Sequence, residues 1–149
     1  MVDDTAQGRA GTPFPLDVER GKIREFARAT HSTNPAYLDD PVPVVPPTFL
    51  TTAFHWQDGD SDPWPAVGMD QRRGLHAEQE YVFHGPPPRA GQRLTGRSRI
   101  TGISRKRGRQ GGMLTFVVMV TEFRDETGRL VAEARQTGVE TEHLPAGQP

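Results

Sequence analysis

The sequence contains no cysteine, which excludes disulfide bonds, thiolate metal ligands and a cysteine nucleophile. It also lacks an excess of either charge, since 18 Lys and Arg face 19 Asp and Glu and give a formal net charge of -1. Long-range attraction to nucleic acid or to an anionic membrane is therefore not expected. No stretch approaches the roughly 20 apolar residues that cross a bilayer, and the polar N-terminus does not read as a signal peptide. We expect a cytoplasmic protein with no nucleic-acid and no membrane partner.

The length fits a single domain. The 149 residues, 34% hydrophobic and 25% charged, are typical of one globular core. Residues 1–12 and 143–149 show no apolar periodicity, so we expect flexible ends there. The 14 proline and 16 glycine residues cluster between patterned segments and punctuate one domain over residues 13–142.

The first half of the chain predicts helices and one long loop. In chain order we expect a short strand after Pro13, an amphipathic helix over residues 19–30, a helical turn over 35–38, a central helix over 48–56 and a loop over 57–73. The central segment is uncharged, which favours a helix buried on most sides. Loops as long as this one are more often functional than idle, and Trp64 is its expected anchor and a candidate substrate-binding residue.

The second half predicts strands separated by glycine and proline, over residues 75–84, 92–104, 113–124 and 129–141. Asp125-Glu-Thr-Gly128 has the composition of a hairpin turn between the last two strands. This order of elements predicts an α+β fold in which an antiparallel sheet wraps around one central helix.

Two segments carry a family resemblance: Phe26-Ala-Arg-Ala-Thr-His-Ser-Thr-Asn-Pro-Ala-Tyr37, and Leu75-His-Ala-Glu-Gln-Glu-Tyr-Val-Phe-His84 with Pro86 and Gly91 behind it. They resemble the N-terminal MaoC-like dehydratase domain family, whose members include accessory subunits of the mycolic-acid dehydratases. The resemblance covers residues 13–142. It implies a single hot-dog domain that pairs with another into a double hot dog, and an acyl thioester on coenzyme A or acyl carrier protein as substrate. It implies no metal and no other cofactor.

The loop after the first helix departs from the family. Catalytic MaoC-like hydratases carry a motif like Ser-Gly-Asp-x-Asn-Pro-x-His there, and matching on Asn34 puts Ser32 at the Asp position and Tyr37 at the His position. A serine is no general base at neutral pH, and a tyrosine donates a proton more readily than it accepts one. His31 is a candidate base displaced by one residue, Tyr37 a candidate proton donor and Asn34 an orienting, substrate-binding group.

A titratable strip is expected on the first long strand. Strict alternation places His76, Glu78, Glu80 and His84 on one face. One interpretation is a proton-handling strip with His76 as the base. The other, which we favour, is a solvated face whose charges pair across strands.

Two further sites are candidates for binding the thioester. The backbone amides of Thr48 and Phe49, at the start of the central helix, are candidate donors to the enolate oxygen, although the preceding prolines bring no N–H. A proline-started helix without such a role fits the pattern equally well. In the basic run after Ser104, Arg105 and Arg107 are candidates for binding phosphates or an acidic carrier protein, whereas a solvated turn is the ordinary interpretation.

Three hypotheses of function remain open at the level of sequence. The first is a hydro-lyase that dehydrates a 3-hydroxyacyl thioester or hydrates the enoyl form, in fatty-acid or polyketide metabolism. It would act as a homodimer or as a heterodimer with another hot-dog subunit. The second is a non-catalytic acyl-binding subunit paired with a catalytic MaoC-like partner, a version that Ser32 and Tyr37 favour. The third is a polyketide cyclase or isomerase on the same scaffold, because function does not follow from fold.

Overall fold

The computed structural model describes residues 1–109 and 111–143. One antiparallel sheet of five strands dominates it, in the order β1-β3-β4-β5-β2. The strands are β1 Phe14–Asp17, β2 Gly74–Phe83, β3 Arg93–Arg107, β4 Met113–Arg124 and β5 Leu130–Thr141. The predicted strands and α+β class are confirmed, except that β3 continues to Arg107, beyond its expected end. No helix in the described part of the chain is long and apolar enough to cross a membrane.

Two α-helices precede the long strands, α1 Arg20–Ala29 and α2 Pro35–Leu38, both close to their predicted bounds. Helix α1 buries Ile23 and Ala27, as its amphipathic spacing predicts. Three 3₁₀ helices complete the described secondary structure, Asp4–Ala6, Phe49–Trp56 and Trp64–Val67. The last of these lies within the segment expected to be a long loop.

The central helix, Phe49–Trp56, is a 3₁₀ helix that lies against the sheet. Burial follows the three-residue repeat of such a helix, so that Thr48, Thr51 and Phe54 share an exposed side. Phe54 is 60% exposed, whereas Phe49 and Leu50 are buried. The central helix is therefore buried on two of its three sides, which agrees with the expectation, and its third side is exposed.

The inner face of the sheet carries two apolar clusters. One, around Phe49, Leu94 and Phe123, lies beneath the central helix and α1. The other is built on Ile100 and Val117 and is covered by the 3₁₀ helices at residues 4–6 and 64–67; its remaining members are Val2, Ala6, Val67 and Met119, with Trp64, Met69 and Ile103 packed against them. The central helix and the N-terminal segment therefore cover different parts of the same face.

The expectation that residues 1–12 lie outside the fold is wrong. Gly8 and Gly11 donate backbone hydrogen bonds to Ile100 and Ser98, so the segment runs along the edge of β3. Two small apolar side chains, Val2 and Ala6, are buried, too few to produce a periodic signal in the sequence. At the other end His143 is exposed, and residues 144–149 of the expected flexible tail lie outside the described residues.

Candidate functional site

A cavity of about 270 Å³ lies between the central helix and the inner face of the sheet, on the side of edge strand β2. The exposed side chains Phe54 and Gln79 border it, so it opens where β2 has no neighbouring strand. The lining residues from the helix are Leu50, Thr51, Ala53 and Phe54, with Gln57 directly after it, and those from the strands are His76, Gln79, Tyr81, Met119, Thr121, Phe123, Ala134 and Gln136. Its walls thus mix apolar and polar groups.

Strand register explains where the space comes from. Thr121, Ala134 and Tyr81 pair directly across β4, β5 and β2, so their side chains lie in one row on the inner face. The middle residue of this row is an alanine, whose small side chain leaves a gap between its larger neighbours. The next row, Met119, Gln136 and Gln79, continues the floor of the cavity.

Tyr81 is the half-buried phenol of this floor. Burial raises the pKa of Tyr81, and a hydrogen bond with Thr51 of the central helix lowers it by less. The phenol therefore stays protonated at neutral pH and serves as a hydrogen-bond or proton donor. The sequence interpretation missed it because Tyr81 alternates with charged residues and looked like an ordinary core residue.

His76 also lines the cavity, so it does not lie on the same face as the other members of the predicted titratable strip. The register shifts between His76 and Glu78, since His76 pairs with Gly138 and Glu78 with Thr137. This β-bulge puts His76 on the inner face with Gln79 and Tyr81, and leaves Glu78 and Glu80 on the outer face.

The charges on the outer face pair across strands, as the favoured interpretation requires. The His84 ring lies 2.6 Å from the Glu133 carboxylate, and the Arg135 guanidinium lies 3.4 Å from Glu80. Among the described residues that line the cavity there is no carboxylate.

The loop after α1 has a structural role that its sequence did not indicate. His31 has a φ of 56° and closes α1, because the His31 and Ser32 amides donate to the carbonyls of Arg28 and Ala27. The Asn34 side chain caps α2 by accepting from the Ala36 amide at 3.0 Å. Tyr37 packs against the main apolar cluster. None of the three predicted residues lines the cavity, and their roles toward substrate stay predictions.

The two candidate oxyanion donors, the backbone amides of Thr48 and Phe49, differ in their surroundings. Phe49 is fully buried, and its amide donates to the Pro46 carbonyl at 3.0 Å, so that amide is already occupied. The expectation for Phe49 is wrong in this geometry because the turn from Pro46 to Phe49, directly before the helix, already takes its N–H. Thr48 is exposed at the start of the helix and lies outside the cavity lining.

Trp64 anchors its segment, as expected. It packs on the sheet at one end of the cavity and closes the cavity there. Its indole packs on Gly138, where a Cβ would lie 2.7 Å from the ring. Because Gly138 pairs with His76 and with Val117, Trp64 fills the row next to the cavity. A direct contact of Trp64 with substrate stays a prediction.

The basic run is not a solvated turn throughout. Arg105 and Arg107 lie in β3, and the hairpin begins only at Gly108. Arg105 forms an ion pair with Asp4 at 2.8 Å. This contact binds the N-terminal segment to β3, so the Arg105 guanidinium is already paired. Arg107 is exposed at the end of the strand. Within residues 1–109 and 111–143, no three His, Asp or Glu side chains are grouped to hold a metal ion.

Three hydrogen-bonded polar side chains, which we call the buried polar chain, lie at the cavity wall. The Gln57 amide nitrogen donates to Ser98 Oγ at 3.0 Å, and Ser98 Oγ lies 2.8 Å from Thr121 Oγ1. Ser98 is fully buried, whereas Gln57 and Thr121 face the cavity. No single segment of the sequence indicates the buried polar chain, because its members come from the residue after the central helix and from two strands.

Comparison with known proteins agrees with this architecture. A family model described as FAS1-like, dehydratase domain region matches residues 5–134. A UPF0336 protein of Streptomyces griseus subsp. griseus is 34% identical over 142 residues, which cover 89% of this chain and 91% of that protein.

Solved structures share the fold. A chain of the C-terminally truncated HadBC (3R-hydroxyacyl-ACP dehydratase) complex from Mycobacterium tuberculosis is similar with a TM-score of 0.70 and 27% identity, over 93% of this chain and 99% of that chain. A MaoC-like dehydratase is similar with a TM-score of 0.76 and 24% identity, over 92% of this chain and 42% of that one. The predicted resemblance and the hot-dog fold are thereby confirmed. The chain belongs to the UPF0336 proteins and to the FAS1-like dehydratase region family.

Proposed function

We propose that this protein takes part in the reversible dehydration of a 3-hydroxyacyl thioester, holding the acyl chain in the cavity beside the central helix. The thioester is carried on coenzyme A or acyl carrier protein, and a second hot-dog subunit supplies the acid–base pair. One observation supports this division of labour above the others: the described residues lining the cavity include no carboxylate, and Ser32 and Tyr37 stand where catalytic relatives carry Asp and His.

The chemistry explains why a partner is needed. Dehydration requires a base for the proton next to the carbonyl, an acid for the departing hydroxyl and donors for the enolate oxygen. In the cavity, Tyr81 is suited to donate and His76 is the candidate base. His76 is exposed and, among the described residues, has no hydrogen bond that would orient it as a catalytic base needs.

The shape of the molecule supports pairing. Edge strand β2 offers its free side next to the mouth of the cavity, and the exposed side of the central helix, with Phe54, borders the same opening. A second sheet at this edge would cover both. The similar HadBC protein is itself a complex. A homodimer that acts alone, with His76 as base, is the competing form of the proposal.

The experiment separates binding from turnover. Octanoyl-coenzyme A binding is measured by calorimetry, and hydration of crotonyl- and octenoyl-coenzyme A is followed by absorbance with the protein alone. We expect binding without turnover. Gln136→Trp fills the cavity and should weaken binding at least about tenfold, since it replaces ligand volume. Its neighbour Arg135 faces the other side of β5, so Arg135→Trp is the matched control and should bind normally.

Each result has a consequence. Turnover by the protein alone that disappears in His76→Ala would replace the partnered form with the self-sufficient one. Equal binding by the Gln136 and Arg135 variants would move the acyl site out of this cavity. No binding by the wild type would refute the proposed function.

A further inference from the structure

The proton positions in the buried polar chain follow from burial. Ser98 is fully buried and accepts from the Gln57 amide, so its own hydroxyl hydrogen also needs an acceptor. Among the described residues, Thr121 Oγ1 at 2.8 Å is the acceptor within reach. Ser98 therefore donates to Thr121, and the hydroxyl hydrogen of Thr121 is left to point into the cavity.

Gln57 contributes the complementary group. Its side-chain nitrogen is occupied by Ser98 Oγ and by the Ser61 carbonyl, at 3.0 and 3.4 Å. Its side-chain oxygen has no hydrogen-bond partner among residues 1–109 and 111–143, and Gln57 lines the cavity. A donor on Thr121 and an acceptor on Gln57 thus face the same space, tied together through Ser98.

A plain alkyl chain would leave both groups without partners. Burying unpaired polar groups against hydrocarbon costs free energy, whereas a hydroxyl group on the ligand both accepts and donates and would satisfy the pair. Tyr81 with Thr51 adds a second polar position on the opposite side of Ala134. The cavity is therefore more polar than the binding of a saturated chain needs.

We propose that Thr121 and Gln57 select an acyl chain that carries a hydroxyl group along its length, beyond the one at carbon 3, as in partly reduced polyketide-type chains, over a plain alkyl chain. This inference rests on the proposed function, because it assigns specificity to the cavity that is proposed to hold the acyl group. Ser98 is the positioning residue that fixes the Thr121 hydroxyl.

The test compares ligands of equal length on the purified full chain. Affinities for decanoyl-coenzyme A and for a set of hydroxydecanoyl isomers, with the hydroxyl at successive carbons beyond carbon 3, are measured by calorimetry. One isomer should bind roughly three- to tenfold more tightly than decanoyl-coenzyme A, the effect of one net hydrogen bond. Thr121→Val, which keeps the shape of the side chain, should abolish that preference while leaving the affinity for the plain chain equal or higher.

Two controls separate contact from structure. Thr115 is buried on the same face of β4 and lies outside the cavity lining, so Thr115→Val should keep the preference. Ser98→Ala keeps the Thr121 hydroxyl but removes the hydrogen bond that orients it, so it should reduce the preference without abolishing it as Thr121→Val does. Equal binding of all ligands by the wild type, or a preference that survives Thr121→Val, would overturn the specificity and leave the proposed function standing. If no thioester binds, both fail together.

Discussion

The inner face of β5 is covered in two different ways at two nearby positions. At Gly138 the indole of Trp64 lies so close that a Cβ there would be 2.7 Å from the ring. At Ala134 the small side chain faces the cavity instead. We call the first region the closed end and the second the open end. Both have the same sheet beneath them, so the segment laid over the sheet decides whether the space is filled or left for a ligand.

The closed end is also where buried charge is concentrated. Glu140 is 5% exposed and faces Arg73 at 3.2 Å, while its other carboxylate oxygen accepts from the Asp70 amide at 2.8 Å. Arg73 also contacts the Asp70 carboxylate and the Thr141 carbonyl. These contacts tie the segment after Trp64 to β5, so the closed end owes its cover to packing and ion pairing together.

Among the changes that test this comparison, removal of the Trp64 indole should have the largest effect on stability. We expect Trp64→Ala to lower the free energy of unfolding by about 3 kcal/mol, because the cluster over Gly138 and Val117 loses its largest cover. Phe54→Ala at the open end is the control; this side chain is 60% exposed, and the loss should stay under about 0.5 kcal/mol. Urea unfolding measures both. Similar losses would mean that the two ends are covered equally well.

Loss of the ion pair between Arg73 and Glu140 should have the second-largest effect on stability. Arg73→Met leaves the buried Glu140 carboxylate without its guanidinium, and we expect a loss of about 2 kcal/mol. Arg72→Met is the matched control, because Arg72 is 79% exposed and pairs with Asp70 at the surface, so its loss of stability should be clearly smaller. An Arg73 variant as stable as the Arg72 variant would show that the ion pair does not hold the closed end.

The elements of both ends could be predicted from the sequence, but the cavity could not. Helical spacing located α1, and glycine and proline punctuation located the four long strands, because these signals are local. Trp64 was recognised as an anchor, although nothing local shows that it packs on Gly138.

The cavity depends on register. Thr121, Ala134 and Tyr81 are far apart in the chain and meet only through strand pairing, and the bulge at Ala77 moved His76 to the face opposite the one that strict alternation gave it. Likewise, the three-residue repeat of the central helix exposes Phe54, which an uncharged sequence alone does not reveal.

The smallest expected effect lies beyond the open end, at the turn that joins β4 to β5. The predicted hairpin closes there with Gly128 donating to Asp125 at 2.9 Å. Hydrogen bonds from Thr127 and then Arg129 lower the pKa of Asp125 to about 2, below its ordinary value of 3.8. Since the folded state lowers this pKa, the stabilisation is present above the ordinary value and is lost as the pH falls toward 2.

Asp125→Asn should therefore reduce stability near neutral pH and make it less sensitive to acid. The measurement is the urea midpoint at about pH 6 and about pH 3, where the wild type should lose more of its midpoint than the variant does. Glu126→Gln, at the exposed neighbouring position, is the control and should follow the wild type. Because the turn lies beyond the open end, far from Arg73, the Asp125 variant should also leave unchanged any difference between Arg73→Met and Arg72→Met. A change in that difference would show that the two ends are energetically coupled through β5, and the comparison between them would no longer be one of independent regions.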